Sequence, residues 1–153
     1  AYKKRHYIAL VDGSNSLDPQ SLKSESLQYL LWIRCLSAEQ AMKATDLLIR
    51  DNNFPLLLLD LRDYAFKDLK KISSTSWYRL QRVAETSSVA LIVFTSFPIV
   101  SSAILRFQLK HSLSLGTFDQ EQNDLLETLS LQLERCRWQR GAVNLEEPQA
   151  LAV

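Results

Sequence analysis

Two short apolar segments that each end in an aspartate place the strongest constraint on the fold. Residues 7–11 are followed by Asp12, and residues 56–59 are followed by Asp60. Each segment is a continuous apolar run bounded by turn-forming residues, which is typical of a strand buried on both faces of a parallel sheet. The carboxyl ends of such strands form the edge at which open α/β sheets bind ligands. The pattern therefore predicts an α/β sheet with two acidic side chains at its ligand-binding edge.

Further apolar runs extend this sheet. Residues 29–35 and 89–95 are predicted as strands, and residues 38–50 and 77–86 as helices that precede later strands. Asp18 before Pro19 is typical of a helix N-cap, and Ser37 with Gln40 has the spacing of a capping box. The resulting β-α-β-α-β-α-β order predicts parallel strands joined by helical crossovers.

The last third of the chain has a different pattern. Apolar and polar residues alternate partly over residues 104–115 and regularly over residues 129–138, which predicts half-exposed antiparallel strands. A short helix is predicted at residues 120–127 between them. We therefore expect one core domain, residues 1–140, and a flexible tail, residues 141–153.

Composition narrows the class of protein. The formal net charge is +1, from 18 basic and 17 acidic residues, which predicts no strong non-specific attraction to nucleic acid. The two cysteines, Cys35 and Cys136, have neither zinc-site spacing nor a disulfide framework, so a cytoplasmic, reducing environment is expected. The sequence shows neither a signal peptide nor an apolar run long enough to span a membrane, and no membrane partner is expected.

The acidic residues are the candidate ligands for a nucleotide or a metal ion. The run ending in Asp60 resembles a Walker B strand, whose aspartate holds Mg²⁺ in nucleotide-hydrolysing enzymes. Asp60, Asp12 and Asp18 are therefore candidate nucleotide-binding residues of a degenerate site. Each also has a structural alternative, and for Asp18 the N-cap is the favoured one. No P-loop motif is found in the sequence, and no dedicated metal site is predicted.

Arginines form the candidate surface for DNA or a protein partner. Arg79 and Arg82 are three residues apart on the helix predicted at residues 77–86, and Arg135, Arg137 and Arg140 surround Trp138. Arginine beside an aromatic residue suits phosphate, a base or a partner's carboxylate. The alternative is an ordinary solvated surface.

The order of these motifs resembles the core of the RecA recombinase family. Residues 12–19, Asp-Gly-Ser-Asn-Ser-Leu-Asp-Pro, stand where the family has Asp-Ala-Glu-His-Ala-Leu-Asp-Pro, and Glu39-Gln40-Ala41 opens a helix that matches the family's Glu-Gln-Ala-Leu. The resemblance implies a mostly parallel RecA-like sheet flanked by helices, followed by antiparallel strands. In that family the aspartate that corresponds to Asp18 contacts adenine, so the resemblance implies the same contact for Asp18.

The departures from the family concern its ATPase site. The P-loop strand is not found, Ser14 replaces the catalytic glutamate, and Ser96 lies near the position of the glutamine that senses the γ-phosphate. Serine cannot act as a carboxylate base. The loop at residues 96–102, which matches the family's DNA-binding loop, has no lysine or arginine. We therefore expect no catalytic residues, and ATP and Mg²⁺ are expected as cofactors only if a P-loop lies upstream of residue 1.

Three hypotheses follow from this resemblance. The first is a RecA-like protein of DNA repair, recombination or the SOS response that lacks a working ATPase, resembles SulA or ImuA proteins, and binds DNA or a protein partner. The second is a cell-division inhibitor of the SulA type, acting through protein interaction alone. The third is a genuine RecA-type, DNA-dependent ATPase with its P-loop upstream. A sheet without its P-loop strand is expected to have a gap that upstream residues or a partner fills. The expected interactions are a protein partner or self-association, with only weak binding to DNA.

Overall fold

A computed structural model describes residues 7–110 and 129–137 of this chain. Its main feature is a four-stranded, wholly parallel sheet in the order β2-β1-β3-β4. The strands are β1 (Ile8–Asp12), β2 (Leu30–Arg34), β3 (Leu56–Asp60) and β4 (Ala90–Phe94). The predicted α/β class and the predicted parallel strands are confirmed at this level.

The helices lie between the strands in sequence. A 3₁₀ turn (Pro19–Ser21) and α1 (Ser24–Leu27) follow β1, and longer helices come later: α2 (Ala38–Asp51), α3 (Phe66–Leu69) and α4 (Ser74–Glu85). The N-cap of α2 is the predicted one, because the Ser37 hydroxyl accepts the N–H of Gln40 at 3.2 Å and the Gln40 side chain accepts the N–H of Leu36 at 2.9 Å. Asn52 ends α2 in the left-handed conformation, at φ 57°.

The core lies on one face of the sheet. Alternate residues of β1 and β3 are fully buried there, and α2 packs against both strands and against α4. Trp77 and Leu80 of α4 are buried in the same hydrophobic core. The opposite face is only half-buried at Leu10 and Leu58, so the expected burial of both faces is not complete.

The four strands form a continuous sheet. Every neighbouring pair is hydrogen-bonded, and β1 lies directly against β3, with Asp12 in register with Asp60. The expected gap inside the sheet is therefore wrong for the described residues. Within them, β4 is the last strand on one side, so its outer backbone groups form an open edge.

A separate ribbon of two antiparallel strands contains β5 (Leu105–Lys110) and β6 (Ser130–Cys136). The pairing changes register between Arg106 and Phe107, which leaves Glu134 as an extra residue on β6. The ribbon confirms the two predicted antiparallel strands.

The chain divides into two compact units, Ala1–Ser102 and Ala103–Val153. The predicted limits of the core at residues 1–140, the tail at 141–153 and the helix at 120–127 fall wholly or partly outside the described residues and stay predictions. In the described part of the chain, no helix has both the length and the apolar character needed to cross a membrane.

Candidate functional site at the carboxyl ends of β1 and β3

The two strand-ending aspartates meet at one edge of the parallel sheet. Asp12 and Asp60 are register partners, and both are buried. The backbone leaves β1 in close contact with β3, because the N–H of Gly13 donates to the carbonyl oxygen of Asp60 at 3.0 Å. A Cβ at Gly13 would lie 2.8 Å from that oxygen and 2.9 Å from Cε2 of Tyr64, so this approach requires glycine. The predicted juxtaposition of the acidic strand ends is therefore present.

Asp12 organises the loop that follows β1. Its carboxylate accepts the backbone N–H groups of Ser16 at 3.1 Å and Leu17 at 3.3 Å, and the indole N–H of Trp32 at 3.0 Å. These three donors are electrically neutral and come from the loop and from β2. Asp12 therefore holds the strand-end loop against the sheet, which is a structural role.

Asp60 is paired with a cation from its own chain. Nη2 of Arg62 lies 2.6 Å from Oδ2 of Asp60, Nε of Arg62 donates to both carboxylate oxygens at 3.0 and 3.1 Å, and the Arg62 backbone N–H donates to Oδ1 at 3.0 Å. The Asp60 side chain is 6% exposed and that of Arg62 is 53% exposed. The carboxylate is thus neutralised from the solvent side by a guanidinium.

Two serines complete the shell around Asp60. The Ser14 hydroxyl lies 3.3 Å from Oδ1 and the Ser16 hydroxyl 3.0 Å from Oδ2, each as a donor. Ser16 Oγ also accepts from Nη2 of Arg62 at 3.0 Å, and Ser14 Oγ accepts the N–H of Asp63 at 3.2 Å. Ser14, which the resemblance to the RecA family matches to a catalytic glutamate, therefore connects two loops.

Burial and hydrogen bonding act in opposite directions on Asp60. Burial alone raises the pKa of a carboxyl, but the hydrogen bonds from Arg62 and Ser16 and the charge of Arg62 outweigh it, so the pKa of Asp60 is lowered. The hydrogen bond to Asp60 raises the pKa of Arg62 against the effect of burial. Both groups are therefore ionised at neutral pH.

A cleft of about 330 Å³ opens beside this pair. Its polar lining includes Asp60 and Arg62, and the remaining lining residues are Leu10, Ser16, Leu17, Asp18, Ser21 and Phe94. The volume is at the lower end of the range for small-molecule sites. Asp18 lines the cleft with its carboxylate already engaged, because Oδ1 accepts the N–H of Gln20 at 2.9 Å. The favoured N-cap role of Asp18 is confirmed.

Ser96, which the resemblance places near a γ-phosphate-sensing glutamine, also makes a contact within the chain. The Ser96 hydroxyl donates to the carbonyl oxygen of Arg62 at 2.7 Å, which holds the segment after β3 against the loop after β4.

Across residues 7–110 and 129–137, no group of three His, Cys, Asp or Glu side chains has the geometry to hold a metal ion. Metal binding by Asp60 would require Arg62 to leave.

The arginines of α4 lie on the surface. Arg79 and Arg82 are both exposed, and Nε of Arg79 lies 3.5 Å from Oδ1 of Asp46 on α2. Asp46 also pairs with Arg50 at 3.1 Å. Arg79 therefore joins two helices through a shared carboxylate, which reduces the charge it could offer to DNA.

The arginines of β6 are placed separately. Arg135 is the register partner of Arg106 across the ribbon, and the N–H of Arg137 donates to the carbonyl oxygen of Ile104 at 2.8 Å. Arg140 and Trp138 lie outside the described residues, as do His6 and His111. The predicted cluster around Trp138 stays a prediction.

Two features of the structure were not predicted from the sequence. Arg62 was not selected, although residues two apart on an extended segment point to the same side, so Asp-Leu-Arg already places a cation beside Asp60. The second feature is the exposure of large apolar side chains on β4, β5 and β6. The alternation of apolar and polar residues in β5 and β6 predicts an apolar face, but only the structure shows that the side chains of this face are exposed to solvent.

Comparisons with known proteins do not assign this chain to a family. No protein-family model matches the chain, and no curated protein matches it in sequence. The resemblance to the RecA family therefore stays a hypothesis that depends on the motifs quoted above.

Proposed function

We propose that this chain is a RecA-like protein of DNA repair or recombination that has no working ATPase site and acts by binding a protein partner. The observation that carries the proposal is the ion pair between Asp60 and Arg62, 2.6 Å long and closed by Ser14 and Ser16. A Walker B aspartate must be free to hold Mg²⁺. Here a bound cation would have to displace a guanidinium that already neutralises the carboxylate.

Calorimetry with Mg²⁺ and ATP tests the absence of a working site. We expect no binding heat for this chain, and no ATP hydrolysis with or without single-stranded DNA, because Asp60 is occupied and Ser14 cannot activate water. Asp60→Asn is the matched variant, and it is expected to behave like the wild type. Saturable nucleotide binding that Asp60→Asn abolishes would contradict the proposal and favour the RecA-type ATPase alternative.

A protein partner is favoured by exposed apolar side chains on β4 and in the neighbouring segments, which we call the β4 patch: Phe66, Ile92, Phe94 and Phe97. These side chains are 37 to 45% exposed, and the rings of Phe66 and Phe97 lie 5.1 Å apart. Aromatic residues are enriched at protein interfaces. The patch also adjoins an edge strand whose sequence, Ala-Leu-Ile-Val-Phe, has none of the charges or prolines that normally block strand addition.

DNA is less well suited to this surface. Lys70 lies at the patch, with its ammonium 4.6 Å from the centre of the Phe66 ring, and Arg62, which lines the cleft beside Phe94, is already paired with Asp60. Affinity for DNA arises mainly from several cations that neutralise phosphates. The β4 patch therefore fits an apolar protein surface better than a phosphate backbone.

Site-specific photo-cross-linking tests the partner hypothesis. A photoreactive residue at Phe94 is expected to capture a specific protein in host cells after DNA damage, whereas the same residue at the equally exposed Tyr78 on α4 is not. The identity of the adduct separates a repair protein from a cell-division protein, which would favour the division-inhibitor alternative. Equal labelling at both positions, or salt-sensitive DNA binding weakened by Arg135→Ala, would contradict the proposal.

A further inference from the structure

One face of the β5–β6 ribbon consists of large apolar side chains that are open to solvent. The register places Phe107 opposite Leu133 and Leu109 opposite Leu131, and Leu105 continues the same face along β5. These five side chains, here called the ribbon face, are 39 to 71% exposed. None of them carries a charge. The ribbon therefore presents a continuous apolar surface.

The opposite face of the ribbon is polar and basic. Arg106 and Arg135 are register partners there, and the alternation places Gln108, Gln132 and Lys110 on the same side. An antiparallel ribbon of two strands is marginally stable by itself in water. A second layer over its apolar face supplies the buried contacts that such a ribbon needs.

We propose that the second layer is the ribbon face of another copy of this chain, so that two copies form a symmetric dimer with their ribbons stacked face to face. A fully exposed Leu or Phe side chain presents about 150–200 Å², so the ribbon face leaves roughly 500 Å² uncovered per copy. Two copies then bury about 1,000 Å² in total, which lies at the limit between transient and stable association. The dimer is therefore expected to have a dissociation constant in the micromolar range.

A second copy fits this face because the face complements itself. An apolar surface without charges needs no oppositely charged partner, and a two-fold axis brings identical aliphatic and aromatic side chains together. Stacking through this face also keeps Arg106 and Arg135 of each copy on the outer side, away from the like charges of the other copy.

Sedimentation over a range of concentrations tests the dimer. Leu131→Ser removes the most exposed side chain of the ribbon face and should weaken self-association by about ten-fold or more, whereas Gln132→Ser, one residue away on the polar face, should leave it unchanged. A chain that stays monomeric at submillimolar concentration overturns the proposal. A dimer that both variants weaken equally, or that neither weakens, overturns it as well.

A measurement on the wild-type chain removes any dependence on how the variants fold. Cys136 is exposed at the end of the ribbon face opposite Leu105, whereas Cys35 is buried, so a thiol-specific spin label is expected to react at Cys136. Stacked sheets lie about 10 Å apart and the ribbon is about 20 Å long, so pulsed dipolar spectroscopy should give a defined inter-label distance below about 40 Å. A wild-type sample without such a distance contradicts the stacked dimer. Because this surface is distinct from the β4 patch, its failure would leave the proposed function untouched.

Discussion

Asp12→Ala is expected to destabilise the protein by about 3 kcal/mol, because it leaves three partly buried N–H donors without their acceptor. The wild-type carboxylate accepts three N–H groups, from Ser16, Leu17 and the indole of Trp32. The indole donor is the costliest to abandon, since water can reach exposed Ser16 far more easily. The loss should appear as a lower midpoint of urea unfolding with an unchanged slope.

Two further variants show whether the hydrogen bonds cause this loss. Asp18→Ala removes an exposed N-cap that binds a single N–H, and should cost about 1 kcal/mol or less. Combining Asp12→Ala with Trp32→Phe in a double-mutant cycle should give a coupling energy of about 1–2 kcal/mol, because the two side chains share one bond of 3.0 Å. Additive effects of the two substitutions would show that Asp12 does not act through Trp32.

The strands were predictable because both the local sequence pattern and the buried position in the sheet require apolar residues there. Continuous apolar runs such as residues 56–59 suit a sheet with helices above it, and the structure has β3 at Leu56–Asp60. The N-cap of α2 was equally predictable, since Ser37 and Gln40 interact locally. Local chemistry of this kind needs no knowledge of the tertiary fold.

The start of α4 shows the limit of local reasoning. The helix predicted at residues 77–86 begins earlier, with Ser73 as its N-cap, and the Ser73 hydroxyl accepts the N–H of Ser76 at 3.2 Å. Residues 73–76, Ser-Ser-Thr-Ser, offer several equivalent cap side chains, so composition cannot choose among them. In the structure, Ser73 caps a helix whose Trp77 is buried in the core.

The site at Asp60 was predicted to bind a ligand, but the structure shows this carboxylate paired with Arg62. A carboxylate at a strand end predicts a ligand only when nothing in the chain neutralises it. Arg62 does so here, and its reach depends on the path of the chain after β3, which Ser96 helps to hold through the carbonyl oxygen of Arg62. The spacing of Asp60 and Arg62 in the sequence indicates that the two side chains can meet, but it does not show the tertiary contact from Ser96 that holds this segment in place.

Arg62→Ala is the second substitution with a large expected effect, a loss of about 2 kcal/mol at neutral pH. It leaves the Asp60 carboxylate buried without its cation, although the hydrogen bonds from Ser14 and Ser16 remain possible. The estimate is below that for a fully buried pair because the Arg62 side chain is 53% exposed and its charge is screened by water. Arg82→Ala, an exposed arginine of α4, is the matched control and should change stability little.

The pH dependence of this loss has a definite sign. The pKa of Asp60 is lowered in the folded protein, so its contribution to stability is present above the unfolded pKa and disappears as pH falls through the folded value. Without Arg62 the pKa of Asp60 should rise. The difference in unfolding free energy between wild type and Arg62→Ala should therefore be largest near neutral pH and should shrink below about pH 4.

Adding Mg²⁺ to Arg62→Ala then separates a closed ligand site from a purely structural ion pair. If Asp60 can hold the ion once the guanidinium is gone, Mg²⁺ should restore part of the lost stability through binding to the folded state. In the double variant Asp60→Asn/Arg62→Ala it should restore nothing. Because one carboxylate with two serine hydroxyls is a weak set of magnesium ligands, we expect no restoration at millimolar Mg²⁺. Recovery that requires Asp60 would instead mean that Arg62 blocks a functional metal site, and the chain would then have to be treated as an inhibited nucleotide-binding protein.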